Sequence, residues 1–364
     1  MKNLVILFVG VFLPMIGVCQ YKALHKDMDQ LTEEWFDDDA PGGVIIIVKG
    51  DEIIYSKIGG IADMGTGLAI DDQTIFNTGS ISKTFVASAI LMLHEQGKLN
   101  IDDPISMYFD DFDDESIAEA VTVKNLLSHT SGLPDLRDVR GNVEFYMTAK
   151  DVENFAPLKA TKEFDFEPGS QFQYSNPAYN GLALIVEQVS GQKWQDFIEE
   201  NIFEPAGMEQ STITDGAHPE TGVAHAYVED NGEYKEYDYG EFPTFTASGN
   251  GGVWCSIGDL ILYEKALHAG KIISKELFAE SRTPYHPDNW SSSSPPGVGY
   301  GWWVQENNDQ VGGKIEYHTG SQGGFRAFHI YIPGKDILYC ALFNRPVDTR
   351  GLFEKGLKVI GKLD

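Results

Sequence analysis

Ser80-Ile81-Ser82-Lys83 sets a hydroxyl and an amine three residues apart, directly before apolar positions at helical spacing (Phe85, Ala89, Met92, Leu93). Residues i and i+3 share one helical face, so the Lys83 ammonium lies beside the Ser80 hydroxyl. A serine hydroxyl is a weak nucleophile near neutral pH and needs a base within hydrogen-bond reach. At a helix start, backbone N–H groups and the helix dipole also favour developing negative charge. Alone the pattern is weak, because Ser190-Gly191-Gln192-Lys193 repeats it where a helix is expected to end.

Two more clusters follow in chain order. Tyr174-Ser175-Asn176 closes the run Glu167-Pro168-Gly169-Ser170-Gln171-Phe172-Gln173 and is the single Y-x-N in the chain. His318-Thr319-Gly320 ends a predicted strand and leads into Ser321-Gln322-Gly323-Gly324. S-x-x-K, Y-x-N and [KH]-T-G in this order resemble the penicillin-recognising serine hydrolases, specifically the class C β-lactamase-like group. The likeness extends to Leu126-Leu127-Ser128-His129-Thr130-Ser131-Gly132-Leu133-Pro134, which looks like that family's linker between the first two boxes. It extends also to Tyr174 through Met208 and to Gly251-Gly252-Val253 through Asp259-Leu260, about Pro41 to Arg345 in all.

The resemblance implies acyl transfer to Ser80 followed by hydrolysis, without metal or cofactor. Lys83 and Tyr174 would act as a pair on Ser80, with Tyr174 later activating the deacylating water; which takes the first proton is disputed for related enzymes. Asn176 would orient substrate or Lys83. The backbone N–H groups of Ser80 and Ser321 would form the oxyanion hole, beside Thr319 and Gly320. At the third box, efficient class C β-lactamases carry a Lys, a fixed charge for the substrate carboxylate. His318 carries that charge only below its pKa, as does the His of some D-stereospecific peptidases in the family. The expectation is therefore a serine hydrolase acting on a peptide, D-amino-acid peptides included, or a small ester. The alternatives are a true β-lactamase and a catalytically silent penicillin-binding scaffold. Taken singly, His318 reads as a structural histidine and Tyr174 as a core aromatic; their places in the ordered boxes argue for the site. Arg326 and His329 read as sheet-face residues, and Trp302 and Trp303 as core or cleft wall.

These residues need elements to hold them. Val44–Val48 is a β-branched run followed by a Lys49-Gly50-Asp51 turn and Glu52–Lys57, a hairpin whose first strand is buried on both faces. The spacing predicts a helix over Thr84–Gln96, stopped by Gly97. From Leu99 to about Thr212 the signals are helical, strongest at Gly181–Val189 and Trp194–Phe203. Asn231-Gly232 predicts a hairpin turn between Val223–Tyr227 and Tyr234–Tyr239. Ser256 caps another helix with Asp259 three residues on. Strands return at Tyr300–Val304, Ile315–Thr319, Phe325–Ile332 and Ile337–Phe343, the last two joined by Pro333-Gly334, and an amphipathic segment at Phe353–Leu363 closes the chain. Strands at both ends with helices between them predict an α/β (α+β) protein. The resemblance makes this a β-lactamase/transpeptidase-like fold, an antiparallel mixed sheet flanked by helices plus a mostly helical domain. Its sheet domain would comprise 20–76 and 213–364 and its helical domain 77–212, with the active site at their interface.

Other motifs fail on inspection. His94-Glu95-Gln96-Gly97-Lys98 lacks the second His of a zinc site. The Asp110–Glu115 cluster lacks the Gly and Glu of a calcium loop and reads as a solvated acidic stretch. No G-x-S-x-G, P-loop or G-x-G-x-x-G occurs.

Among 364 residues, 55 are acidic and 27 basic, a formal charge of −28. That balance argues against nucleic acid and anionic lipid as partners, and the small-molecule or peptide substrate is what the resemblance implies. With 42% hydrophobic residues the chain can bury a large core. Met1-Lys2-Asn3 and the apolar run Leu4–Val18 predict a signal peptide over 1–19 and a periplasmic or secreted protein. The run is short for a membrane span. Gly17 and Cys19 stand at −3 and −1 for cleavage after Cys19; a Cys19 lipoprotein is the alternative, disfavoured by Val18. The mature chain then keeps Cys255 and Cys340, both in apolar surroundings that suit free, buried thiols.

Overall fold

The computed structural model describes residues 21–363 apart from 140, 141, 143, 144, 146, 147, 214–221, 237–247, 286–288 and 292–296. The signal-peptide assignment over 1–19 and the end of the Tyr234–Tyr239 strand lie outside the described residues.

Six strands form one antiparallel sheet: β1 Gly43–Lys49, β2 Glu52–Gly59, β3 Trp303–Asn308, β4 Gly313–Gln322, β5 Phe325–Ile332 and β6 Ile337–Phe343, in the order β3-β4-β5-β6-β1-β2. Both ends of the chain therefore build it, β1 pairing with β6 from Gly43↔Phe343 to Lys49↔Ile337. Central β1 is apolar on both faces, as its unbroken Val-Ile-Ile-Ile-Val run requires. Val44, Ile46 and Val48 face the larger core, with the central helices. Ile45 and Ile47 face a second core with α1 (Lys22–Thr32) and the C-terminal helix Thr349–Ile360.

The helix after the S-x-x-K box, α2 (Ser82–Glu95), is buried at every position from Ser82 to Leu93. A helix apolar round its whole circumference belongs in the middle of a core. α3 (Asn176–Ser190) packs against it, capped by Ser175 Oγ accepting from Ala178 N–H and stopped by left-handed Gly191. Ser190-Gly191-Gln192-Lys193 is thus the helix-end turn expected of it. Ser256 caps α4 (Ile257–Ala269) by accepting from Asp259 N–H.

Most predicted elements lie where the sequence put them, with three shifts. Strand β3 begins at Trp303, not Tyr300, because Gly301 sits at φ +79° and turns the chain first. The Asn231-Gly232 hairpin joins Tyr227–Asp230 to Glu233–Glu236, its first strand ending three residues and its second starting one residue nearer the turn than the hydrophobic flanks suggest. Ser80 lies in a separate 3₁₀ turn, Gly79–Ile81, ahead of α2. Cys255 and Cys340 are free and buried, as expected. No described helix is long and apolar enough to cross a membrane.

Candidate active site

The nucleophile turn is fixed from both sides. Phe76–Asn77 pairs with Trp254–Cys255 in a small three-stranded sheet. Asn77 then accepts from Gly79 N–H at 2.8 Å and donates to the Gly251 carbonyl at 3.2 Å. The Thr78 N–H and hydroxyl both bond the Val253 carbonyl, at 3.0 and 2.9 Å. Ser80 thus projects from a turn with little freedom left, at the mouth of α2.

Strand β4 closes on that turn. A Cβ on Gly320 would stand 1.9 Å from the Thr78 carbonyl oxygen, and one on Gly79, at φ +53°, 2.6 Å from Ser321 N. Only glycines allow so close an approach, and it brings the backbones of Ser80 and Ser321 together. β3 pairs with β4 no further than Tyr317, so among the described residues His318–Gln322 runs on with a free edge on that side.

Lys83 reaches Ser80 as its i+3 spacing requires, Nζ lying 3.1 Å from Oγ. A second bond runs 2.7 Å to the carbonyl of Asn250. Lys83 is fully buried, and desolvation, reinforced by the Arg137 guanidinium, holds its ammonium well below the usual lysine range. Tyr174 lines the opposite wall, its ring 5.1 Å from Lys83 Nζ and stacked on Trp303 at 6.2 Å. Although 37% of the residue faces the open cleft, desolvation pushes its phenol up to about 12, with the Ser80 hydroxyl pulling the other way.

His318 is 3% exposed, with Nδ1 bonded to the Thr319 carbonyl at 2.8 Å. Burial first and Lys83 second press it down to about 3, so it is neutral at physiological pH. The third box therefore carries no fixed charge at neutral pH, in line with a His that is charged only below its pKa. Ser80, Tyr174, His318, Thr319, Gly320 and Ser321 all border one cleft of about 700 Å³, whose far wall is Thr349, Arg350, Phe353 and Glu354 of the C-terminal helix. Its fixed cations are Arg326 and Arg350. Asn176 is half-buried as the first residue of α3, outside the cleft lining.

Of the residues that shape this site, sequence reasoning left Trp302 and Trp303 open between core and cleft wall, read Arg326 only as a sheet-face residue, and missed Asn250 and Asp151. Trp303 forms cleft wall, whereas Trp302 lies buried under Arg282. His329 is a structural residue, bonded to Glu264 at 2.9 Å, but Arg326 reaches the cleft from the sheet. Asn250 contributes a backbone carbonyl that carries no residue-type signal. Asp151, buried, accepts from Asn180, Gly249 and Trp194 and so anchors the Gly249–Asn250 turn beneath Lys83.

The beta-lactamase family model matches residues 25–358 of the chain. Penicillin-binding protein 4* of Bacillus subtilis (strain 168) is 29% identical over 341 residues, 89% of this chain and 73% of its own length. A D-aminopeptidase of Brucella anthropi is 28% identical over 84% of this chain, which spans only 56% of that protein. Among solved structures, a penicillin binding protein from Bacillus halodurans aligns with a TM-score of 0.75 and 25% identity, over 90% of this chain and 97% of that one.

Proposed function

The chain belongs to the beta-lactamase family and is a serine hydrolase, and from that premise we propose that it cleaves peptides, D-amino-acid peptides included, or small esters through a Ser80 acyl-enzyme. The carrying observation is the 3.1 Å approach of Lys83 Nζ to Ser80 Oγ at the head of the cleft. With its pKa held down, Lys83 gives up its own proton more readily and is placed to accept that of Ser80 as Oγ adds to the substrate carbonyl. Tyr174, its phenol held protonated, is the weaker first base and the better donor to the departing amine or alkoxide. Collapse of the tetrahedral intermediate expels that leaving group. Water, its proton drawn off by the same pair, then frees the acid and restores Ser80.

The oxyanion would sit against the N–H groups of Ser80 and Ser321, which the glycine contacts bring side by side. Donors of this kind are worth about 3 kcal/mol each in the transition state. An extended substrate would add to the free edge of β4 beyond Tyr317, its backbone completing the pairing. Neutral His318 supplies no fixed charge for a β-lactam carboxylate, which favours peptidase or esterase chemistry over β-lactamase. Export rests on the Met1–Cys19 pattern, with the mature protein expected to begin at Gln20.

The test is a substrate panel at neutral pH: p-nitrophenyl esters, D-Ala peptides and a chromogenic cephalosporin. Turnover of esters or D-peptides with feeble cephalosporin hydrolysis is the expected result. Robust cephalosporin turnover would reverse the preference, and no turnover of any member would favour a silent scaffold.

A further inference from the structure

His129 grips the segment bearing Tyr174 with both its backbone and its side chain. Its carbonyl accepts from Gln173 N–H at 3.0 Å, and its Nδ1 accepts from Ser175 N–H at 3.1 Å. The two residues flanking Tyr174 are thus tied to a single histidine 45 positions earlier. The imidazole also packs on the Tyr174 ring itself, centroids 4.5 Å apart, and on Tyr179 at 5.1 Å. Its backbone stands at φ +57°, a conformation costly for most side chains but several-fold enriched in Asn, Asp and His. Because Nδ1 accepts, the ring proton belongs on Nε2, and the ring must stay neutral to hold Ser175. Burial, with Lys83 and His318 adding to it, keeps His129 well below its ordinary value and so keeps that acceptor available.

We propose that His129 is a positioning residue for the hydrolase reaction: it fixes where Tyr174 stands relative to Lys83 and Ser80, without itself touching substrate. The inference rests on the reading of Tyr174 as part of the proton path, and the experiment separates the two. Purified wild type, H129G, H129N, Y174F and the H129G/Y174F double variant are compared in kcat and KM on whichever substrate of the panel the wild type turns over. Glycine removes the ring and its acceptor while accepting φ +57° without strain. Asparagine tolerates the same backbone and places Oδ1 close to where Nδ1 was.

H129G is expected to lose about 100-fold in kcat, the scale of an ångström-level misplacement, with KM near that of wild type. H129N recovers most of the loss. In the Y174F background H129G costs nothing further, since His129 acts only through Tyr174. Circular dichroism verifies folding, and if H129G does not fold, H129A takes its place in the same cycle. An equal fold-loss in both backgrounds, or an unchanged kcat in H129G, would overturn the role of His129. Full activity in Y174F would instead overturn the reading of Tyr174 on which it rests.

Discussion

Lys83 Nζ is bonded to Ser80 Oγ at 3.1 Å and to the Asn250 carbonyl at 2.7 Å, so a backbone group holds the amine while it reaches the hydroxyl. A carbonyl contributes a fixed acceptor and no countercharge. The ammonium therefore gains direction without the carboxylate that would hold its proton in place. Burial and the Arg137 charge then press the pKa down, and the same geometry that orients the lysine readies it as a base.

The closeness of β4 to the nucleophile turn sets the first prediction. Gly320→Ala would place a methyl 1.9 Å from the Thr78 carbonyl oxygen, so the strand must retreat. Ser321 N–H then leaves the oxyanion position. We expect kcat to fall by about 100-fold or more, the cost of losing one oxyanion donor. Steady-state kinetics on the wild-type substrate measures this. Activity within a few-fold of wild type would mean that Ser321 does not serve the oxyanion.

Beneath β4 lies a buried charge cluster with a stability role. Arg282, 1% exposed, bonds Glu264 at 2.8 and 3.1 Å and Glu316 at 3.1 Å, and its guanidinium lies 3.6 Å from the Trp302 ring centroid. Removing the cation leaves Glu316 with Lys314 at 2.9 Å and Glu264 with His268 and His329, but it breaks a buried charge pair, which typically costs about 3–5 kcal/mol. Arg282→Ala should shift the urea midpoint accordingly, at unchanged m-value. A change below about 1 kcal/mol would show the site rehydrating at little cost.

Asp151 gives a pH-dependent signature. Burial pushes its carboxyl up to about 7, against the pull of its three donors, Asn180, Gly249 and Trp194. In the unfolded chain it titrates near 3.9, so between about pH 4 and 7 the native state holds a proton that the unfolded state has lost. Its contribution to stability is therefore full at the acid end and declines as pH rises through that window. Wild type should lose Tm relative to Asp151→Asn from pH 4.5 to 7.5, read by differential scanning calorimetry. A Tm difference independent of pH would mean that the carboxylate stays ionised throughout.

The chemistry-bearing residues were legible because their spacing encodes geometry. Ser80 and Lys83 meet as i and i+3, and Gly320 follows His318 and Thr319 on one strand. Central β1 was legible for a similar reason, since a strand buried on both faces cannot be patterned otherwise. What escaped the sequence depends on tertiary placement. His129 and Tyr174 meet across 45 positions, and the Asn250 carbonyl could come from any residue type. The charge state of His318 follows from burial beside Lys83, which no local pattern reports. Trp302 and Trp303 take opposite fates, one under Arg282 and one in the cleft, because the Gly301 turn sets the phase of the strand.

The most direct test of the central claim is covalent. Wild type, Ser80→Ala, Ser190→Ala and Lys83→Gln are incubated with a fluorophosphonate probe at neutral pH and mapped by peptide mass spectrometry. A single adduct on Ser80, absent in Ser80→Ala, retained in Ser190→Ala and formed at least about 100-fold more slowly in Lys83→Gln, is the predicted result. Labelling that persists in Ser80→Ala, or proceeds at the wild-type rate in Lys83→Gln, would contradict a lysine-activated Ser80 nucleophile.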